Sequence, residues 1–171
     1  ELRVHPVCRQ SVRRHDHVTA MRPSDTDIAW LAGIVDGEGT IALYSRPGRH
    51  REYMYAHFGF SGTDMRIVQR GRDILSAICG DASAVRLHAA RRKHLNPKWQ
   101  DAMTVRLEKS KPLHTVLTAL MPYLVGKKQN AEIVLEWLSS RLSRPYGVLL
   151  TNSERALLEK SHNVMKFPRS A

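Results

Sequence analysis

The ten residues REYMYAHFGF (Arg51–Phe60) alternate with period two. Met54, Ala56, Phe58 and Phe60 fall on one side, and Arg51, Tyr53, Tyr55, His57 and Gly59 on the other. A helix would scatter both sets around its circumference, so the stretch reads as a strand with one buried and one polar face. Just upstream, TIALYSR repeats the pattern, with Ile41 and Leu43 inward and Thr40, Ala42, Tyr44 and Arg46 outward. Pro47-Gly48 marks the turn that joins the two strands into a hairpin. A second hairpin follows. SAVRLHA buries Val85 and Leu87 and exposes Arg86 and His88; AMTVRLE buries Met103, Val105 and Leu107 and exposes Ala102, Thr104 and Arg106. The loop between them, RRKHLNPKW, is basic with one aromatic.

Helical patterns separate and follow the hairpins. Ser24 or Thr26 N-caps a first helix running to about Asp36, with Asp25 and Asp27 at its positive end. Thr63 or Asp64 caps a second, on which Ile67, Ile74, Leu75 and Ile78 share the core face, ending near Gly80. Pro112 sits in the first turn of a third, whose Leu113, Val116, Leu117, Leu120 and Met121 form one stripe. A fourth runs roughly from Lys128 to Arg141. Pro145 and Gly147 then break the chain, and TNSE (Thr151–Glu154) resembles a capping box opening a last short helix. Four antiparallel strands with helices packed on one face make an α+β domain. The expected divisions are a basic N-terminal arm or extension (residues 1–22), a core (23–142), and a C-terminal helix and tail (143–171). Residues 1–22 show no sustained period. A flexible basic arm, an extension ahead of an internal start at Met21, and a strap over the domain all remain open.

Charge narrows the partner. The chain has 171 residues, enough for one domain with a real core, and its 27 Lys and Arg outnumber 16 Asp and Glu for a net charge of +11. Such an excess suits a polyanion, where cationic side chains release counterions from phosphates. The two cysteines, Cys8 and Cys79, define neither a disulfide framework nor a zinc spacing, and Cys8 with His15 and His17 lacks a fourth ligand. An intracellular, reduced protein is expected. No apolar run approaches a membrane span, so no membrane partner is expected, and the basic N-terminal segment lacks the apolar stretch of a secretory signal.

The chemistry concentrates in WLAGIVDGEG (Trp30–Gly39). Ile28, Leu31, Ala32 and Val35 follow helical spacing toward the core, while Ala29, Gly33 and Gly37 lie four apart on another stripe. A mid-helix glycine costs about 1 kcal/mol relative to alanine, so Gly33 wants a packing reason. A second helix approaching to backbone contact is one; crowding against the chain's own strands is another. At the tip, Asp36 and Glu38 flank Gly37. The acids could simply sit at a helix stop. Alternatively, a carboxylate beside a free backbone carbonyl makes a half-site for a hard divalent ion, and two copies of the helix would bring two such carboxylates together.

LAGIVDGEG (Leu31–Gly39) resembles the signature of the LAGLIDADG homing endonucleases, matching at Leu31, Ala32, Gly33, Asp36 and Gly39. The order of elements also fits, and KPLHTVLTALMPYLVGKKQNAEIVLEW (Lys111–Trp137) is similar to the family's C-terminal half, so the resemblance covers about Ser24 to Trp137. It implies an αββαββα fold whose four-stranded sheet lies in the DNA major groove. With one motif per chain, it implies a homodimer that uses Mg²⁺, or another divalent ion such as Mn²⁺, to cut double-stranded DNA at a long, nearly palindromic site. By the same resemblance Glu38 is the metal-binding catalytic acid, Gly37 lends its carbonyl, and Asp36 is structural. Lys127 is the basic residue near the scissile phosphate, although Lys128 is one position away, and Arg66 fits a second basic position. The implied dimer interface comprises Ala29, Gly33, Asp36 and Gly37. One departure stands out: where the family often has a polar amide before the second helix, FSGTD shows Ser61 and Gly62.

The outward residues then acquire a use. Thr40, Ala42, Tyr44, Arg46, Tyr53, Tyr55, His57, Arg86, His88, Thr104 and Arg106, with Arg49, Arg51, Arg91 and Arg92 around the hairpin ends, form the expected DNA-binding set. Arginine can read guanine edges bidentately, and the others contact bases or phosphates. The alternative is a non-catalytic nucleic-acid binder on the same fold, either an intron RNA maturase or a DNA-binding regulator. Retention of both Asp36 and Glu38 favours the nuclease.

Overall fold

In a computed structural model of the chain, the described residues are 22–48, 52–90, 98, 100–145 and 148–165. The N-terminal segment through Met21, with Cys8, His15 and His17, lies outside them, as do Arg49, Arg51, Arg91 and Arg92.

The elements are α1 (Asp25–Glu38), β1 (Gly39–Pro47), β2 (Glu52–Gly62), α2 (Met65–Cys79), β3 (Val85–Ala90), β4 (Ala102–Leu107), α3 (Ser110–Leu120), α4 (Lys128–Leu142) and α5 (Asn152–Met165). The strands form one antiparallel sheet in the order β1-β2-β4-β3. This is the expected α+β order. Its inner face carries Ile41, Leu43, Ala56, Phe58, Phe60, Val85, Val105 and Leu107, all buried against the helices. Each large side chain so removed from water contributes roughly 1.5–3 kcal/mol.

Local chemistry fixes the helix ends. Ser24 caps α1 through a reciprocal box with Asp27, the side chain of each accepting the other's backbone N–H at 3.2 Å. Gly80 ends α2 at φ 65°, a left-handed conformation that glycine adopts without steric cost. Within α2, Gly71 sits directly on the Phe60 ring; a Cβ there would fall 2.5 Å from Cζ. That contact sets the rotation of α2 and explains one correction. Ile67, assigned to the core face from its spacing, is 39% exposed, and Val68 is buried in its place. A helix turned to lay Gly71 on the ring brings Val68 inward with it.

Helices α1 and α2 are joined by Arg70, which pairs with Asp27 at 3.3 Å and stacks over Trp30 with Cζ 4.5 Å from the ring centroid. At the sheet's other side, α5 covers edge strand β1. The Ser161 hydroxyl, buried, accepts the Leu43 N–H at 3.1 Å, so an edge group that could recruit another strand is occupied. α5 opens on the expected box, with Thr151 N–H donating to Glu154 at 2.8 Å and Glu154 N–H donating to Thr151 Oγ1 at 3.2 Å. Among the described residues, no helix is long and apolar enough to cross a membrane.

Candidate active site and nucleic-acid interface

The motif's three glycines divide into two kinds. A Cβ on Gly39 would lie 2.5 Å from the Val35 carbonyl oxygen, so the helix-to-strand switch at this point admits only glycine. A Cβ on Gly33 or Gly37 would meet nothing within 4 Å among the described residues. Crowding by the chain's own strands therefore does not explain Gly33. Both glycines are exposed, and with half-buried Ala29 they leave a strip of bare backbone along α1, while Leu31, Ala32 and Val35 on the opposite side are fully buried.

The two acids also part company. Asp36 turns back into its own chain, where its carboxylate accepts the Val125 N–H at 2.8 Å and the Lys127 N–H at 2.9 Å. The Lys127 ammonium in turn donates to the Asp36 carbonyl oxygen. That carbonyl belongs to the last turn of α1, whose C-terminal groups lack intrahelical donors and attract cations. Lys127 is thus the lysine brought to the α1 tip, whereas Lys128 is the exposed first residue of α4. Glu38 is exposed and makes no hydrogen bond or ion pair among the described residues. Those residues contain no cluster of three or more His, Cys, Asp or Glu that could hold a metal. Glu38 and the neighbouring Gly37 carbonyl make hard oxygen donors for a divalent ion, but only part of a coordination shell.

Glu38 opens onto a groove of about 320 Å³ shared with Ile34, Ser61, Asp64 and Ile67. Ala102, expected on the outward face, is buried there, because the start of β4 runs in beside Ile34 and Ile67. Ser61 and Thr104, paired across β2 and β4, share a hydroxyl hydrogen bond of 2.8 Å. Asp64 caps α2 and grips Arg66, accepting its N–H at 2.9 Å and its guanidinium at 2.7 and 3.1 Å. These bonds hold the Asp64 carboxyl down to about 2. Arg66 itself lines a different cavity, along α2 with Arg22 and Arg70, so it does not share a groove with Glu38. The sequence pattern around Asp64 indicates a helix cap and nothing more. Its place at the end of the strand that returns to the motif was the signal that it also borders the site.

The outer sheet face holds Tyr44, Arg46, Tyr55, His57 and Arg106 around a groove of about 590 Å³. Tyr44 meets Tyr55 at 5.8 Å between centroids and the edge of His57 at 5.9 Å, and Arg46 lies 5.9 Å over Tyr55. Burial, reinforced by the positive charge of Arg106 and opposed by Glu108, holds the His57 imidazole below its usual pKa. Arg86, His88, Tyr53 and Arg46 are exposed, and Thr40 and Thr104 are half-buried. Ala42 is a correction. It lies in register with His57 but is 0% exposed, a methyl group overshadowed by larger neighbours, and offers no surface to a ligand.

No family profile matches the sequence, and no curated protein is significantly similar to it. Solved structures do match. The homing endonuclease I-CvuI, in complex with the I-CreI target, is similar at a TM-score of 0.60 and 19% identity over 86% of this chain and 87% of that one. I-CeuI, a group I intron-encoded homing endonuclease complexed with DNA, is similar at 0.54 and 10% over 70% and 57% of the two chains. The LAGLIDADG homing endonuclease I-GzeII, in complex with its DNA target, is similar at 0.54 and 12% over 80% and 43%. The chain has the fold of these enzymes.

Proposed function

We propose, with that fold as the premise, that the chain is a single-motif LAGLIDADG homing endonuclease: a divalent-metal-dependent nuclease that cuts double-stranded DNA as a homodimer at a long, nearly palindromic site. The observation that carries the reading is the contrast between the motif's acids. Asp36 is consumed by the fold, while Glu38 projects from a helix tip without a partner among the described residues.

The bare strip of Gly33 and Gly37 supports pairing of two α1 helices at backbone distance, which brings one Glu38 from each copy to the same place. Glu38 and the Gly37 carbonyl would hold Mg²⁺ or Mn²⁺, which would supply a water of lowered pKa and stabilise the leaving oxygen of the phosphodiester. Lys127, tethered to the α1 tip by its own backbone, would hold a cation beside a phosphate bound there. The outward sheet residues supply base and phosphate contacts, and the net charge of +11 supports a strongly salt-dependent affinity for duplex DNA. An exposed acid at this position, spending nothing on stability, supports the nuclease over a protein that binds DNA or intron RNA without cutting it.

The test is a cleavage selection. Purified protein is incubated with a library of randomised duplexes in Mg²⁺, and broken molecules are sequenced. The expected product is one long, nearly palindromic consensus, bound without cleavage when Ca²⁺ replaces Mg²⁺. Binding to structured RNA with no DNA consensus would replace this reading with the maturase one.

A further inference from the structure

We infer that a second copy of the chain reaches into each active site: Val125 of one protomer seats against Ile34 and Ile67 of the other and walls the apolar side of the groove that holds Glu38. The inference rests on the homodimer proposed above and adds to it a second contact and the residues that make it.

Exposed apolar side chains flank the bare strip of α1 on both sides, and the two flanks differ in kind. Successive helical residues are turned by about 100°, so Asp36 and Glu38 leave α1 on opposite sides of Gly37. On the Asp36 side stands Val125, 86% exposed. Its backbone is firmly held, because the Asp36 carboxylate accepts its N–H at 2.8 Å and that of Lys127 at 2.9 Å. On the Glu38 side lies a recess. Half-buried Ile34 and exposed Ile67 line the groove onto which Glu38 opens, and Met65, also exposed, belongs to the same turn of α2. One flank thus carries a fixed apolar knob and the other an apolar recess, both at the level of the α1 tip. Single exposed apolar residues are ordinary, but a knob and a recess matched across a bare helix face suit a partner surface.

Symmetry decides what the knob meets. Bringing two Glu38 side chains to one place requires the two α1 helices to run side by side in the same direction, with the two-fold axis along them. Such an axis keeps every residue at its own height and lays the left flank of one protomer on the right flank of the other. The partner's Val125 therefore faces Ile34 and Ile67, and Val125 of this chain faces the same pair in the partner. Knob and recess bury each other twice, once on each side of the axis, removing apolar surface from water at both places. Two consequences follow for the site. The apolar wall of each Glu38 groove comes from the other protomer, so water is excluded there only in the dimer. Val125 and Lys127 also share one turn clamped to Asp36, so the contact that holds the partner braces the lysine at the α1 tip.

The experiment is cysteine cross-linking in the full-length protein, comparing V125C, I67C and the double variant V125C/I67C with the wild type, each checked for an unchanged melting curve. Mild oxidation joins two cysteines only when their backbones lie close together. The double variant should give a covalent dimer on a non-reducing gel, and each single variant should give no more than the wild type, which carries the same two native cysteines. Sedimentation without oxidant reports whether the wild type pairs at all. A dimer whose double variant stays uncross-linked would overturn the inference and leave the homodimer standing. V125C cross-linking to itself would do the same, placing the two valines on the axis and not against α2. A wild type that remains a monomer, alone and on its DNA site, would overturn both.

Discussion

Lys127 is tied to Asp36 twice, by its backbone N–H to the carboxylate at 2.9 Å and by its ammonium to the carbonyl oxygen. Together with the Val125 N–H bond, this lashes the entry to α4 onto the tip of α1, more than eighty residues earlier in the chain. Asp36→Ala leaves two N–H groups without their acceptor. It should cost about 1–3 kcal/mol in a denaturant titration and lower cleavage as well, since Lys127 loses its tether. Lys127→Met should lower cleavage while changing stability by less than about 1 kcal/mol. Unimpaired cleavage by a destabilised Asp36→Ala protein would show that the tether does not position the lysine.

Gly33 offers a test of the dimer that leaves the protomer alone. Because a Cβ there meets nothing within 4 Å among the described residues, Gly33→Leu should fold with wild-type or slightly raised stability, mid-helix glycine being unfavourable by about 1 kcal/mol. A leucine keeps two backbones from touching, so sedimentation should show a dimer for the wild type and a monomer for the variant. A variant that still dimerises normally would place the interface elsewhere.

Glu154 makes acid stability testable. Its side chain is 0% exposed between Arg141 at 3.6 Å and Arg144 at 3.1 Å. Burial pushes its carboxyl up, but the Thr151 N–H and the two guanidinium groups outweigh that and leave it below the ordinary value of 4.5. A folded-state pKa below the unfolded one means stability that is complete above 4.5 and lost as pH falls through the folded value. Glu154→Gln should cost about 1–3 kcal/mol near neutrality and flatten the acid limb of stability against pH. An acid limb as steep as the wild type's would assign that loss to other groups.

His57 acts in the same direction at higher pH. Its folded pKa lies below the ordinary 6.5, so the unfolded chain takes up a proton first as pH drops from 6.5. Stability should fall across that window, and His57→Gln should remove the dependence. Urea titrations at several pH values check it, and an unchanged slope in the variant would contradict the role given to burial and Arg106.

Element order was legible in the sequence because two hairpins of period two leave little freedom, and the core faces of β1, β2 and α3 followed directly. Helix phase was less so. Ile67 and Val68 are adjacent and equally apolar, and only the Gly71–Phe60 contact, formed across the fold, decides which goes inward. Alternation placed Ala42 on the outer face but could not foresee that its neighbours would cover it. At the motif, residue types marked the helix tip as a candidate metal site, yet the difference between Asp36 and Glu38 lies in a loop almost ninety residues away. The pairing of Arg66 with Asp64 was equally hidden, although the two are nearly adjacent, since either could have faced the site.

Glu38 carries the central claim, and the direct measurement is cleavage of the selected DNA site by wild-type and Glu38→Gln protein in Mg²⁺, with binding measured in Ca²⁺. The wild type should cut both strands. The variant, which keeps the shape but loses the anionic ligand, should bind the same site within severalfold and cut it at least about a hundredfold more slowly. Equal cleavage by the two proteins would contradict the assignment of Glu38 as the metal-holding acid, and with it the reading of the helix tip as an active site.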